Sequence, residues 1–371
     1  MIIAQVLAAI FWICVGLLVY THVGYPLLLA LLTLPKGSDP FRRVGVNSAP
    51  SVTLVIAAYN EGAVIERKID NARALDPAPA EIIVASDGSN DDTVAKAAGA
   101  DVVLDLPRGG KIRAQDAAVE RATGEVVAFS DANSFWHPDA LRELVVPFAD
   151  PKVGYVCGQV RFTNEAGDNQ EGLYWRYEMW IRSMESRLAG VTGGNGAIYA
   201  VRRKGYIHVD PRMGHDLSFP FNMVKRGWRP VYAPGARAEE KMVPSIEGEF
   251  RRKRRMQSHM WPIVLRGGLL GPRGYSPLYA LEVYSHRALR YLTPLLHIGA
   301  FGANIALLED GAIYVVTFAA QCALLLGAIF PAGPLRIARY YVAMTAAIGI
   351  AFFDTLRTGT PAHWEQAEGT R

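Results

Sequence analysis

Cysteine is scarce: three occur in 371 residues, at positions 14, 157 and 322. Cys14 and Cys322 stand in apolar runs and Cys157 in a strand-like one. That scatter excludes a disulfide framework and a zinc site, and it fits a reducing compartment. The eight histidines do not cluster either. No G-x-x-x-x-G-K-[ST] loop occurs, and no G-x-G-x-x-G follows the first strand-like run. A P-loop NTPase and a standard dinucleotide-binding enzyme are therefore excluded. The net charge of +4 is too modest to argue for nucleic acid as a partner. Charge is also missing locally, since none of the first 34 residues is Lys, Arg, Asp or Glu.

That uncharged opening, Ile2 to Leu34, is too long for a cleavable signal and has no basic residues before it. As a helix it would measure about 50 Å against a hydrocarbon core of about 30 Å, so it must tilt or bend. Pro26 in THVGYP is the expected kink, because proline removes a backbone hydrogen bond. Near the other end, Tyr291–Leu308 and Ala312–Pro331 are long enough to span. Arg339–Phe353 is short and fits either a span or an interfacial helix. Of 39 Lys and Arg, none precedes Lys36 and only five fall at or after Arg290. Lys36, Arg42 and Arg43 follow the first helix, and Arg287 and Arg290 precede the next. Basic flanks mark the cytoplasmic side. The expected protein is multi-pass in the inner (cytoplasmic) membrane, with its globular part in the cytoplasm. Its divisions are a membrane helix (1–35), a globular domain (49–245), interfacial amphipathic helices (246–289), membrane segments (290–356) and a tail (357–371).

Between the membrane segments, strand-like and helix-like runs alternate. SVTLVIAAYN, EIIVASDGS, DVVLDLP and EVVAFSDAN read as strands. Glu61–Ala74 and Lys111–Ala122 read as helices, and a short helix follows Asn90–Asp92. This alternation predicts βαβ units and a mostly parallel sheet. Ligands bind beyond the carboxyl ends of such strands. Three strands here end in polar groups: Tyr59-Asn60-Glu61, Ser86-Asp87-Gly88-Ser89, and Ser130-Asp131-Ala132-Asn133. One such tip is ordinary turn chemistry. Carboxylates on two neighbouring tips suit a nucleotide, one holding base or ribose and another a cation on the phosphates.

In order and spacing, VIAAYNE, VASDGSNDDT, GGKIRAQDAAVERATGEVVAFSDANS, VTGGNGAIYAVRR, GHD before a helix, and a basic segment ending QSHMW resemble the family-2 glycosyltransferases. The membrane-anchored bacterial branch, related to polysaccharide synthases, fits best, and YTHVGYP and WEQAEGTR agree with it. The resemblance implies an α/β fold of the GT-A (Rossmann-like) type, with a mostly parallel sheet flanked by helices. One N-terminal and two to three C-terminal transmembrane helices would accompany it. It implies that Ala57, Tyr59 and Glu61 border the base and ribose. Asp87 would bond the base, usually uracil, and Lys111 would lie near the nucleotide. Asp131 and Asn133 would hold ribose and a divalent cation, Mn²⁺ or Mg²⁺. Gly193 to Gly196, with Gly194 and Asn195 at its centre, would form a backbone-rich loop near the acceptor. Asp216 would be the general base, and Gln257 and Trp261 would cover the site.

Asp216 opens the predicted helix Leu217–Arg226, whose N-terminus favours the ionised carboxylate and makes it a weak base. His215 beside it is an alternative base, though it reads more readily as a surface neighbour. Three positions depart from the family pattern. Asn133 stands where many relatives carry Asp, and its carbonyl still suits a hard cation. Asp116 stands where relatives often have Asn. QSHMW lacks the Arg of the Gln-x-x-Arg-Trp signature of processive synthases. EFRRKRRMQSHMW reads as an interfacial helix facing anionic lipid. In YWRYEMWIRSMESRL the aromatics have helical spacing, and Glu178 and Arg182 are candidates to face the acceptor. The expected activity is inverting transfer of one sugar from a nucleotide-diphosphate donor, UDP-linked, to a hydroxyl of a lipid-linked or growing glycan. Membrane lipids are partners and nucleic acid is not. A processive polysaccharide synthase and a non-catalytic nucleotide-sugar-binding membrane protein are the alternatives. A transporter fits poorly, because the membrane segments carry almost no ionisable residues.

Overall fold

The computed structural model describes residues 2–36, 50–163, 172–243, 246–329 and 335–362. Arg42, Arg43 and the WEQAEGTR tail lie outside the described residues. The chain opens with α1 (Ile2–Val19), a π-turn (Tyr20–Gly24) and α2 (Tyr25–Thr33). The irregularity expected at Pro26 sits just before it, where the π-turn absorbs the hydrogen bond that proline cannot make. The globular part follows as β1 (Val52–Ala58), α3 (Ile65–Arg73), β2 (Glu81–Asp87), α4 (Thr93–Lys96), β3 (Val102–Leu106), α5 (Lys111–Arg121) and β4 (Val126–Asp131). It continues through β5 (Phe135–Trp136), α6 (Ala140–Val145), β6 (Val153–Thr163), α7 (Leu173–Leu188), β7 (Ile198–Arg202), α8 (His215–Lys225) and β8 (Arg229–Lys241). Then come α9 (Ile246–Leu265), α10 (Pro277–Glu282), α11 (Leu289–Ala306), α12 (Ala312–Ile329) and α13 (Leu335–Thr358).

The strands form one sheet in the order β3-β2-β1-β4-β7-β6-β8-β5. β3, β2, β1 and β4 are mutually parallel, as the βαβ reading predicts, whereas β7 runs antiparallel to β4 and to β6. Alternation along each strand fills two cores. Leu54, Ile56, Val84 and Ala128 face one side with Ile69 of α3 and Leu141 of α6. Val55, Ile83, Val127 and Phe129 face the other with Ala118 of α5 and Phe219 of α8. Strands buried on both faces read as continuous apolar runs, which is why VTLVIAA and VVAF were legible.

Among the described residues three helices are long and apolar enough to cross a membrane: Ile2–Thr33, Ala312–Ile329 and Ile337–Thr358. The set differs from the expected one. The helix from Leu289 carries Arg290, His297 and Asn304 and falls short in hydropathy, while the segment expected to be short extends to 24 residues.

A buried carboxylate joins the membrane helices to the globular part. Glu185 of α7 has no exposed surface. It accepts hydrogen bonds from the Tyr25 hydroxyl at 2.7 Å, His286 Nδ1 at 2.7 Å and the Thr192 hydroxyl at 3.0 Å. Burial alone would raise its pKa, but His286, Arg287 and the Tyr25 hydroxyl outweigh that and hold it below the ordinary value. Removing Tyr25's hydroxyl (Tyr25→Phe) is expected to cost about 1.5–3 kcal/mol, the range for a hydrogen bond to a charged group. Glu185→Leu, which leaves His286 and Arg287 without their carboxylate, is expected to cost about 3–5 kcal/mol. Thermal unfolding in lipid nanodiscs checks the order, and equal stability of the three proteins would refute the tie.

Candidate active site

The parallel register sets three strand tips side by side. Ala57 pairs with Ala85 on one side and with Asp131 on the other, and Asp87 ends β2. Past β1 the chain turns through Asn60, whose φ of 53° lies in the left-handed region that Asn tolerates. Glu61 organises this turn. Its N–H donates to the Thr93 hydroxyl at 2.7 Å, and its carbonyl accepts from Val64 at 2.9 Å. The Arg108 guanidinium lies 3.4 Å over the Tyr59 ring. Asp87 accepts from the N–H groups of Gly109 (2.6 Å) and Gly110 (2.8 Å) and from Arg108. Its oxygens therefore build the loop before α5, a role distinct from the base contact implied by resemblance.

Asp131 receives Lys111 Nζ, which also donates to the Gly196 carbonyl at 3.2 Å. The turn after Asp131 is clamped from behind. Asn71 donates to the Trp136 carbonyl at 2.8 Å and accepts its N–H at 2.9 Å, and Lys68 Nζ donates to Ser134 O at 2.5 Å. Lys68 is fully buried, and that burial pulls its ammonium down to about 7 against the opposing charges of Asp131 and Glu240. Asn133 is half-buried and lines a cleft of about 260 Å³ with Arg67, Phe135, Thr163 and Glu240.

A divalent cation needs hard oxygen donors. Among the described residues no group of three His, Cys, Asp or Glu could hold a metal ion. Asp131, its side chain 32% exposed, and the Asn133 carbonyl two residues on are two such donors, Asn133 opening on the cleft beside Arg67. That set fits an ion whose other positions are filled by donor phosphates and water, the usual arrangement for Mg²⁺.

Gly193–Gly196 crosses from this pole toward the membrane helices. A Cβ on Gly194 would overlap the buried Tyr155 hydroxyl, and one on Gly193 would overlap the Arg287 guanidinium. Arg182 donates to Gly194 O at 3.0 Å, and the Gly194 N–H donates to Asp216 O at 2.6 Å. Asn195 ties the loop down, donating to Gly158 O at 2.6 Å and accepting from Ile198 N at 2.9 Å. Asp216 lies in the first turn of α8, one residue inside the helix. Desolvation by burial raises its pKa above the ordinary value, with Lys111 and Arg287 opposing. The weak base expected from the helix terminus is thus corrected: loss of solvent outweighs the helix end and makes a stronger base. His215 is no surface neighbour. It is buried, shares a 2.7 Å hydrogen bond with the Tyr199 hydroxyl, and packs edge-on against Phe219. Burial holds it well below the ordinary histidine value, so it stays neutral.

The remaining candidates are drawn into scaffolding. Glu178 is buried in a bidentate pair with Arg290, 2.9 Å on one arm, and near His286 at 3.5 Å. Trp261 donates to Ile348 O at 3.0 Å and packs on Phe352 and Tyr291, fixing α9 to α13. Gln257 sits on α9 with its Oε1 buried and, among the described residues, without a hydrogen-bond partner. Asp116 accepts from the Tyr206 hydroxyl at 2.7 Å and lies 3.2 Å from His208 Nδ1.

Residues 53–209 match the model for glycosyl transferase family 2. They are a family-2 glycosyltransferase domain. The chain is 26% identical over 239 residues to the poly-beta-1,6-N-acetyl-D-glucosamine synthase of Staphylococcus aureus, covering 60% of this chain and 58% of that one. It is 26% identical over 268 residues to an N-acetylglucosaminyltransferase of a Rhizobium species, covering 65% and 59%. The chain thus spans less than two thirds of these relatives. Its fold resembles the mannosyltransferase of Pyrobaculum calidifontis, solved in complex with GDP-Man and Mn²⁺. The TM-score is 0.71 at 23% identity, over 95% of this chain and 99% of that one. The GT-A expectation holds for the domain.

Lys68, Asn71, Arg108, Tyr155 and Arg287 were not singled out as site residues by motif. Only GGK and SDAN, which they support, were visible as patterns. Asp216→Asn is expected to lower turnover by roughly 10²–10⁴-fold, the usual worth of a general base. Because its folded pKa is raised, ionised Asp216 opposes folding increasingly as pH rises through the window above the unfolded value. The same substitution should therefore raise the melting temperature at pH 7 and leave it unchanged at pH 3. The acid limb of the wild-type rate should lie above the ordinary Asp value. Gly194→Ala should cost activity by overpacking worth about 1–3 kcal/mol, and Tyr155→Phe in the same chain should restore part of it. Steady-state rates of the single and double variants decide this.

Proposed function

We propose that the protein is an inverting glycosyltransferase. It moves one hexosyl or N-acetylhexosaminyl unit from a nucleoside-diphosphate sugar, UDP-linked, to a hydroxyl of a lipid-linked or growing glycan. The observation that carries this reading is the Gly193–Gly196 loop with Lys111 and Asp131 at one end and Asp216 bonded to its middle. Lys111 holds the diphosphate end of the donor, and Asp131 reaches it only through a cation. Asp131 and Asn133 would hold the cation, which supplies Lewis-acid stabilisation of the departing diphosphate. Asp216 takes the proton of the acceptor hydroxyl as its oxygen bonds to the sugar C1. The C1–phosphate bond breaks on the opposite side and the nucleoside diphosphate leaves with its electron pair. In-line attack inverts the anomeric carbon.

The protein sits in the inner membrane with the catalytic domain in the cytoplasm. Arg287 and Arg290, at the entry to α11, stand on that side. α13 meets catalytic-side elements at both ends. Tyr340 packs on Tyr174 of α7 at 5.4 Å between ring centroids, and Asp354 pairs with Arg254 of α9 at 2.6 and 2.7 Å. Beyond it the Thr360 hydroxyl donates to Ser258 O at 2.8 Å. A helix returning to its own side lies along the interface, so α1–α2, α11 and α12 are the crossings. A processive synthase is the second reading, favoured by the Staphylococcus relative.

Purified protein in nanodiscs, offered UDP- and GDP-linked sugars with Mn²⁺ or Mg²⁺ and membrane lipid extract, is expected to release one nucleoside diphosphate. Release should require the extract and be lost with EDTA. No release from any donor would refute the transferase reading, and a ladder of long chains would establish the processive one. In a cysteine-free background, cysteines at 339 and 358 should both react with an impermeant maleimide from the cytoplasmic side. Labelling from opposite sides would make α13 a span.

A further inference from the structure

Arg287 is a cation at the site that the proposed transfer does not use. It belongs to the π-turn Val283–Ala288, just before α11, where the chain passes from the catalytic domain to the helical bundle. Its Nε donates to the Thr192 hydroxyl at 2.9 Å. The guanidinium lies so close to Gly193 that a Cβ there would overlap a terminal nitrogen. Among the described residues, neither terminal nitrogen donates to a protein acceptor.

The catalytic loop therefore has two cationic poles. At Gly196 stands Lys111, already committed to Asp131. At Gly193 stands Arg287. Asp216 is bonded to Gly194 between them, and both cations act on its carboxylate. The Lys111 pole faces the strand tips, where the donor diphosphate belongs. The Arg287 pole faces the membrane helices. A half-buried guanidinium whose two terminal NH2 groups make no hydrogen bond to protein among the described residues suits a phosphate, which it can bind in bidentate fashion. Glu185 and Asp216 act on the guanidinium only through space, so its terminal nitrogens are still open to an anionic ligand, which a neutral glycan would not supply.

We propose that Arg287 binds the phosphate linking lipid to sugar in a lipid-phosphate acceptor, which places the acceptor hydroxyl at Asp216. This rests on the transferase reading. It adds an anionic acceptor class and the residue that recognises it. The lipid chain would leave along the bundle beside α11, and the sugar would point toward the glycine loop.

Binding to the full chain in nanodiscs of neutral lipid tests this, with farnesyl phosphate, farnesol, inorganic phosphate, UDP and GDP as probes, read by tryptophan fluorescence and melting temperature. Farnesyl phosphate is expected to bind the wild type at least 10-fold more tightly than farnesol or inorganic phosphate. Arg287→Met should lose that preference, Arg287→Lys should keep part of it, and nucleotide affinity should be unchanged in both. Equal farnesyl phosphate affinity in wild type and Arg287→Met overturns the proposal, as does farnesol binding as well as its phosphate. Inorganic phosphate binding as tightly as farnesyl phosphate assigns the pole to a soluble anion and overturns the lipid source. If Arg287→Met does not fold, Arg287→Lys against wild type decides, and unchanged affinity is then the refuting result. Absence of nucleoside diphosphate binding by the wild type refutes the transferase reading, and this inference with it. Nucleotide binding without farnesyl phosphate binding refutes this inference alone.

Discussion

The architecture depends on one buried carboxylate. Glu185 gathers a hydroxyl from the first membrane helix, an imidazole from the turn before α11 and a hydroxyl from the residue preceding the catalytic glycines. An ionised carboxylate without solvent persists only when such donors surround it. The requirement works in reverse as well. Tyr25, His286 and Thr192 must each stay where the carboxylate is, so the height of the catalytic loop relative to the helical bundle is set by hydrogen bonds a few ångströms long. The Glu178–Arg290 pair repeats the device two turns earlier on α7, with the Arg from α11.

The donor side is organised by a different balance. β1, β2 and β4 end together, and a parallel sheet leaves polar tips facing one crevice. Each tip then recruits cations: Arg108 on Asp87, Lys111 on Asp131, and Lys68 behind the Asp131 turn. With Asn133 adding no charge beside Asp131, the charge at these tips is that of Asp87, Asp131 and the cations paired with them. A cation held by Asp131 and Asn133 would add to that field, and Asp131 would have to share itself between it and Lys111. Asp216, whose main-chain carbonyl accepts from Gly194 in the middle of the glycine loop, has its basicity raised by burial rather than by a neighbouring acid.

How much of this was legible depended on how local each feature is. β1 to β4 and α5 follow from short runs with unambiguous period and appear where the pattern placed them, whereas the helix expected from Glu61 begins only at Ile65. Asp131 and Asp216 were legible because strand tips and helix starts are local, and resemblance supplied their roles. Trp261 and Glu178 could not be placed from sequence, since one is fixed by a carbonyl 87 residues away and the other by an arginine 112 residues away. His215 was misread for the same reason. A histidine beside a polar Asp looks exposed until the sheet brings Tyr199 and Phe219 around it.

Sequence by itself determined the division into apolar ends and a βαβ middle, the parallel half of the sheet and the identity of the polar tips. All of these rest on periodicity and on residues within one element of each other. Tertiary structure alone decided which cations meet which carboxylates. It also decided that Asp216 is desolvated, and that α13, apolar enough to cross a membrane, is bound at both ends by catalytic-side elements. The physical reason is shared: charge pairing, desolvation and helix docking are set by what lies across space. A chain that folds tens of residues back onto itself does not write those neighbours next to one another.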